Sequence, residues 1–317
     1  MSTKNLLLRH SARRPGATCL GVALLCALSL LRAAPERRKS EPPQKPSAPP
    51  LTHPTSLTPS PVPRAQAEKH RQRIGALKQS RPEAFPAAPE RMAPSPEIEA
   101  RMEAERQEGL ALPIILRGNP NRREIALTFD DGPHPLFTPR LLDLLRALRV
   151  KATFFLVGKK VDNAPYLVAR ILQEGHDVGN HTYDHVNLTR IPPDMVETEI
   201  RLGNDAILRA CGMLPVFFRP PGGQYDIETV RAAQKLRMTT VFWTDDPADY
   251  LSPGENIIET RLLTHVRNGA VILVHDGIEQ TFRILPDLVA RLRRAGYRFV
   301  TLSEMAQHLE ATPFARR

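Results

Sequence analysis

From residue 112 onward, short apolar runs alternate with longer segments of helical period, and this alternation limits the fold more than any other feature of the chain. The strand-length runs fall at 125–130, 152–157, 177–180, 216–219, 239–244, 270–275 and 299–302. Between them stand "TPRLLDLLRALRV", "NAPYLVARILQEG", "PPDMVETEIRLGNDAILRACG", "DIETVRAAQKLRM", "ENIIETRLLTHVR" and "LPDLVARLRRAG", several with proline near the start or glycine at the end, as helix boundaries prefer. Strands separated by helices pair in parallel, either in an open doubly wound sheet or in a barrel.

The polar residues choose between the two. Asp130, Asp131, His181, Arg219, Asp245, Asp246, His275 and Asp276 all fall at or just past the C-terminal ends of different predicted strands. In a β/α barrel those ends converge on one mouth, where such folds place their chemistry. The expectation is an α/β protein, a distorted or incomplete (β/α) barrel of about seven parallel strands, occupying residues 111–317.

The residues ahead of the barrel differ in composition. A basic head (Lys4, Arg9, Arg13, Arg14) precedes an apolar run over 17–31, short for a bilayer span and suited to a secretory signal, so 1–34 is expected to be a signal peptide or signal anchor. Ala33 and Ala34 are small, as a cleavage site requires, but Arg32 interrupts the pattern. Residues 35–96 hold 15 of the 31 prolines with almost no aromatics, and 35–110 is expected to be a Pro-rich disordered linker with room for short helices. Such a protein would be exported to the periplasm or cell envelope, or held at the membrane by its head. The net charge of +10 is not a nucleic-acid signature, because 18 Lys and Arg against 10 Asp and Glu precede Ala111 and the barrel is nearly neutral. Cys211 is the one cysteine beyond the apolar run, which leaves the barrel without an internal disulfide.

"EIALTFDDGPH" raises a chemical question. Two adjacent carboxylates, Asp130 and Asp131, end an apolar strand, and like charges side by side need a cation nearby. "GNHTYDHVNLT" supplies two histidines four residues apart, His181 and His185, which on a helical turn would share a face. Such a pair alone is more often a surface coincidence. Together with a carboxylate from another strand end it makes a two-His, one-carboxylate set with open positions, as in catalytic zinc sites. One aspartate would then bind the ion and its neighbour would act as a general base.

Five segments in order, "TFDDG", "HTYDHVNLT", "RPPGG", "WTDDPADY" and "LVHD", resemble the motifs of the polysaccharide deacetylases, carbohydrate esterase family 4, which share the nodulation-type chitooligosaccharide deacetylase domain. The resemblance spans residues 115–309. It implies hydrolysis of N-acetyl groups on a peptidoglycan, chitin-like or exopolysaccharide chain, with a divalent metal, most readily Zn2+ and otherwise Co2+ or Ni2+. Carried over by position, it makes Asp130 the base, Asp131, His181 and His185 the metal ligands, and Arg219 the residue that holds the base as an oriented carboxylate. His275 would be the acid that protonates the leaving amine, and Asp246 its partner. Leu273 would line the acetyl-methyl pocket, with Pro221, Gly222 and Tyr250 also at substrate-contacting positions. Two departures stand out: Gly222 replaces an aromatic common in the family, keeping the backbone N–H but losing a groove wall, and Tyr250 replaces a tryptophan. Asp249, beside Tyr250, carries no firm assignment, and His134, His176 and His265 are read as structural. The implied partner is an N-acetylated glycan, met by a monomer. A catalytically silent glycan-binding domain of the same fold is the alternative. A non-haem iron oxygenase would use the same triad but has no need of Asp130, Arg219 and His275.

Overall fold

The computed structural model of the protein describes residues 60–85, 95–110 and 112–310, which belong to one compact unit. The N-terminal apolar run and much of the Pro-rich segment lie outside the described residues. No helix among the described residues is long and apolar enough to cross a membrane.

Among the described residues there are eight strands: β1 (Ile114–Ile115), β2 (Glu124–Gly132), β3 (Thr153–Leu156), β4 (Asp177–Asn180), β5 (Phe217–Phe218), β6 (Thr239–Val241), β7 (Ala270–His275) and β8 (Arg298–Val300). All pairings are parallel, in the order β1-β6-β5-β4-β3-β2-β7, with β8 added to β2. Just past β6, Asp245 bridges to Ile272 in β7, where Leu273 N donates to Asp245 O at 2.9 Å. The sheet is thus curled until its two sides meet at one narrow seam. The expected α/β architecture of an incomplete, distorted barrel is what forms.

Ten α-helices among the described residues accompany the strands: α1 (Arg64–Ser80), α2 (Ser95–Gln107), α3 (Phe137–Leu148), α4 (Gly158–Asn163), α5 (Pro165–Gln173), α6 (Pro193–Cys211), α7 (Ile227–Lys235), α8 (Glu255–His265), α9 (Glu279–Arg294) and α10 (Leu302–Glu310). Strand alternation sorts the core into two layers. On β2, Ile125, Leu127 and Phe129 face outward with Ile272 and Val274 of β7, packing against Leu141, Leu145, Leu285 and Leu288 of α3 and α9. Ala126 of β2 and Val271 and Leu273 of β7 face inward, meeting Phe155, Val241 and Trp243. The same period puts Thr128, Asp130 and His275 on the inner face, at its upper end.

Within the expected disordered linker, the structure places two helices against the barrel. In α1, Ala67, His70 and Ile74 are buried, and Leu77 packs beside Ile74 on Ile200, Phe218 and Leu236. Ile98 of α2 is buried with Leu116, Phe217 and Tyr225. The spacing of 3, 4 and 3 residues from Ala67 to Leu77 is helical, but it is sparse and set in charged sequence. A second difference concerns α9, which begins at Glu279 and carries Pro286 inside it, where a start near that proline is the sequence expectation.

Candidate active site

The site begins with a bulge at the end of β2. Phe129 pairs with Phe154 and Gly132 with Leu156, so three steps along β2 match two along β3. Asp131 takes up the extra residue with a left-handed φ of 68°, a conformation aspartate tolerates better than most residues, and a cis Gly132–Pro133 peptide follows. A regular strand would send the two carboxylates to opposite faces. Here both face His181, whose Nε2 is 3.7 Å from Asp130 Oδ2 and 3.6 Å from Asp131 Oδ1.

His181 and His185 follow β4. The helical turn expected from their spacing does not form: Thr182 and His185 have φ of 63° and 53°, and a loop with two left-handed residues brings the rings to a centroid distance of 5.0 Å. His185 Nε2 lies 3.0 Å from Asp131 Oδ1. One ligand atom from each of Asp131, His181 and His185 can be chosen so that all lie within 4.8 Å of one another, a grouping able to hold a metal ion. His181 Nδ1 is 2.7 Å from the Arg219 carbonyl, which can only accept, so Nδ1 carries the proton and Nε2 presents its lone pair to the site. Burial keeps this imidazole neutral, bringing its pKa down to about 4. Burial alone would raise the Asp131 carboxyl, but His185, with His275 and His181, holds it well below the usual carboxylate range. A neutral imidazole and an ionised carboxylate are the forms a divalent ion takes as ligands, so the residues present fit one.

Arg219, fully buried, leaves β5 and crosses the inside of the barrel. Its Nη1 donates to Asp130 Oδ1 at 2.7 Å and to Thr128 Oγ1 at 2.8 Å, while Nε and Nη2 donate to the carbonyls of Val241 and Phe242. The guanidinium lies 4.1 Å from the ring centroid of Phe155 and 5.6 Å from that of Trp243. Burial works against this cation, and the adjoining Asp130 carboxylate opposes that effect.

His275 ends β7, register-paired with Asp130. Here the structure corrects an expectation: the partner of His275 is Asp249, not Asp246. His275 Nδ1 is 2.7 Å from Asp249 Oδ1, and Asp249 Oδ2 accepts from the His275 amide at 2.9 Å and from the Thr281 hydroxyl at 2.6 Å. Asp246 instead accepts from the Ala248 amide at 2.7 Å. A left-handed Ala248, φ 57°, turns the chain so that Asp249 points back into the barrel. Burial alone would push the His275 imidazole down; the charge and hydrogen bond of Asp249, then Asp131 and Asp130, outweigh it and lift the pKa to about 9.

The remaining expected residues surround these groups. Leu273 is buried two residues below His275 on the same face of β7, and the Tyr250 ring meets the His275 ring edge-on at 5.3 Å. Pro221 and Gly222 lie in a 3-10 turn after Arg219, with Gly222 at φ 63°. His134, His176 and His265 serve local structure: His134 Nδ1 accepts from the amides of Leu136 and Phe137, His176 Nδ1 accepts from the Ala152 amide, and His265 Nδ1 lies 2.8 Å from the Arg261 carbonyl.

The polysaccharide deacetylase family pattern matches residues 117–241. A peptidoglycan-N-acetylglucosamine deacetylase of Bacillus cereus is 38% identical over 193 residues, an alignment covering 59% of this chain and 90% of that protein. This chain belongs to the polysaccharide deacetylase family. A chitooligosaccharide deacetylase of Bradyrhizobium is 37% identical, with 58% of this chain and 90% of that one covered. Among solved structures, a peptidoglycan N-acetylglucosamine deacetylase superposes with a TM-score of 0.59 at 36% identity, over 61% of this chain and 92% of the other.

Three groups of this deacetylase-family site escape sequence reasoning. Thr128 links the Arg219 guanidinium to the Ile272 carbonyl, to which its hydroxyl donates at 2.7 Å. Thr281 anchors Asp249 from α9. Glu199, buried in α6, accepts from the backbone amides of Tyr183 and Asp184, inside the loop between the two histidines. Their signal is positional only: the inward period of β2 points to Thr128, whereas nothing local in the sequence marks Thr281 or Glu199.

Proposed function

We propose that this protein is a metal-dependent deacetylase that hydrolyses N-acetyl groups of a GlcNAc-containing glycan, releasing acetate and leaving a free amine. The observation that carries the reading is the placing of an Arg219-held Asp130 and an Asp249-held His275 on either side of one interstrand step, beside the Asp131, His181 and His185 group. An oxygenase would need the ion group but neither of the two proton-handling pairs, and a silent binding domain would need none of them.

When bound by Asp131, His181 and His185, a divalent ion, with Zn2+ as the first choice, would supply Lewis-acid polarisation of the amide carbonyl and of the attacking water. Asp130 takes the proton from that water as its oxygen bonds to the acetyl carbon. The N–H of Gly222 is the proposed backbone donor to the tetrahedral oxyanion. His275 then delivers a proton from Nε2 to the nitrogen as the C–N bond breaks, so the amine leaves neutral. Leu273, buried below His275, suits the acetyl methyl, and Tyr250 offers a ring to the sugar.

Peptidoglycan and chitin-like chains both follow from the names of the relatives. An exported or envelope location suits such polymers and fits the basic head and apolar run of the N-terminus, with the Pro-rich segment as spacer. The test is acetate release from a panel of N-acetylated glycans by the metal-loaded protein beside a chelated control. Metal-dependent release from at least one polymer is expected. Glycan binding without release under every metal tried would favour the silent binding domain.

A further inference from the structure

Glu199 is fully buried, and a buried carboxylate is stable only when its lone pairs are taken up. Its Oε2 accepts from the amides of Tyr183 at 3.2 Å and Asp184 at 3.0 Å, so it grips the loop from within the stretch between His181 and His185. Its Oε1 is met by a group from outside the barrel: His70 Nε2, on α1, at 2.7 Å, with His70 itself only 4% exposed. A ring nitrogen at that distance from a carboxylate oxygen bonds by donating. The same helix reaches the loop again, with Lys78 Nζ 3.5 Å from Asp184 Oδ1, and Lys78, Pro82 and Phe85 line a cleft whose other wall is Asp184 and His185.

We infer that His70 and Glu199 are positioning residues for the ion site: His70 fixes Glu199, and Glu199 fixes the loop that presents His181 and His185. Helix α1, which precedes the family pattern at residues 117–241, is then a working part of the centre and not a tether. The inference rests on the proposed function only in taking those histidines as ligands. Loop amides held by a buried carboxylate lower the freedom that the loop loses on binding an ion, and outer groups of this kind typically change metal affinity by about 10- to 100-fold.

The experiment uses the full chain with His70→Ala, His70→Gln and Arg73→Ala. Co2+ affinity is measured by competition with a chromophoric chelator, and amide hydrogen exchange at Tyr183 and Asp184 is followed in metal-free protein. His70→Ala should weaken Co2+ binding on the order of 10-fold and speed exchange at both amides. His70→Gln retains a donor toward Glu199 and should stay near wild type. Arg73→Ala breaks an exposed pair between α1 and Asp194, 2.6 Å in length, and should change neither readout. Unchanged affinity and exchange in His70→Ala would overturn the inference, as would equal loosening in Arg73→Ala, which would mean that α1 acts only by docking. Should His70→Ala fail to fold, wild type still decides: free exchange at Tyr183 and Asp184 would refute the clamp, and protection would uphold it. Neither readout involves acetate release, so failure of the deacetylase reading would appear separately.

Discussion

Asp130 and Asp131 face the same imidazole nitrogen, yet their other contacts differ. Asp130 is bonded to a guanidinium, whereas Asp131 approaches His185. Asp130→Asn should therefore lower turnover by about 10²–10⁴-fold while leaving metal affinity near wild type, whereas Asp131→Asn or His181→Ala should lose the metal. Metal titration of the three variants checks this, and equal loss of metal in Asp130→Asn would reverse the assignments. A pH profile tests His275. As the proposed acid it acts while protonated, so with a pKa lifted to about 9 the alkaline limb of the profile should fall as pH rises through that value. Asp249→Asn removes the carboxylate that opposes burial, and the alkaline limb should move to lower pH. Asp246→Asn, whose carboxylate bonds Ala248, should move it far less. His275→Ala should lose most of its rate on an N-acetyl sugar and much less on an aryl acetate, whose leaving group needs no proton; equal loss on both would make His275 a pocket residue.

The elements show where sequence reading works and where it stops. β2 and β7 were legible as near-continuous apolar runs, which burial on both faces produces, and α6 by its length and helical period. β1 was not, since two residues, Ile114 and Ile115, carry no period, and α4 shows only Gly158 and Val161 to the core. The proposed ion-binding pair was legible as residue types but not as conformation, because left-handed Thr182 and His185 have no local signature. Choosing Asp249 over Asp245 and Asp246 required the turn at Ala248, which brings one of three nearby carboxylates beneath His275. The close approach of α4, α6 and β4 was also hidden. A Cβ at Gly203 would lie 2.4 Å from Asn180 Oδ1, and one at Gly158 would lie 3.0 Å from Gly203 Cα. Gly203→Ala should cost about 1–3 kcal/mol by urea denaturation, through displacement of Asn180, whose amide otherwise donates to Ile200 and Asn204.

Across the whole molecule, the proposed ligands come from β2 and from the loop after β4, so an ion held between them joins separate parts of the sheet. At a free metal concentration about 100-fold above Kd, binding should add about 2.7 kcal/mol of stability, visible as a higher thermal midpoint that chelation reverses. Asp130→Asn should keep that rise and Asp131→Asn should lose it. The barrel mouth is assembled from strand ends of unequal firmness: β5 and β6 are short, and the seam from Asp245 to Ile272 is a single bridge. Between β2 and β7, by contrast, pairing runs unbroken from Ile125 with Ala270 to Asp130 with His275. The backbones of Asp130 and His275, the two proposed proton carriers, cannot drift apart without tearing this ladder. The backbones that carry the proposed base and acid are therefore set about 4.8 Å apart by the spacing of the sheet, and movement of the rim can alter what enters the mouth but not that backbone interval.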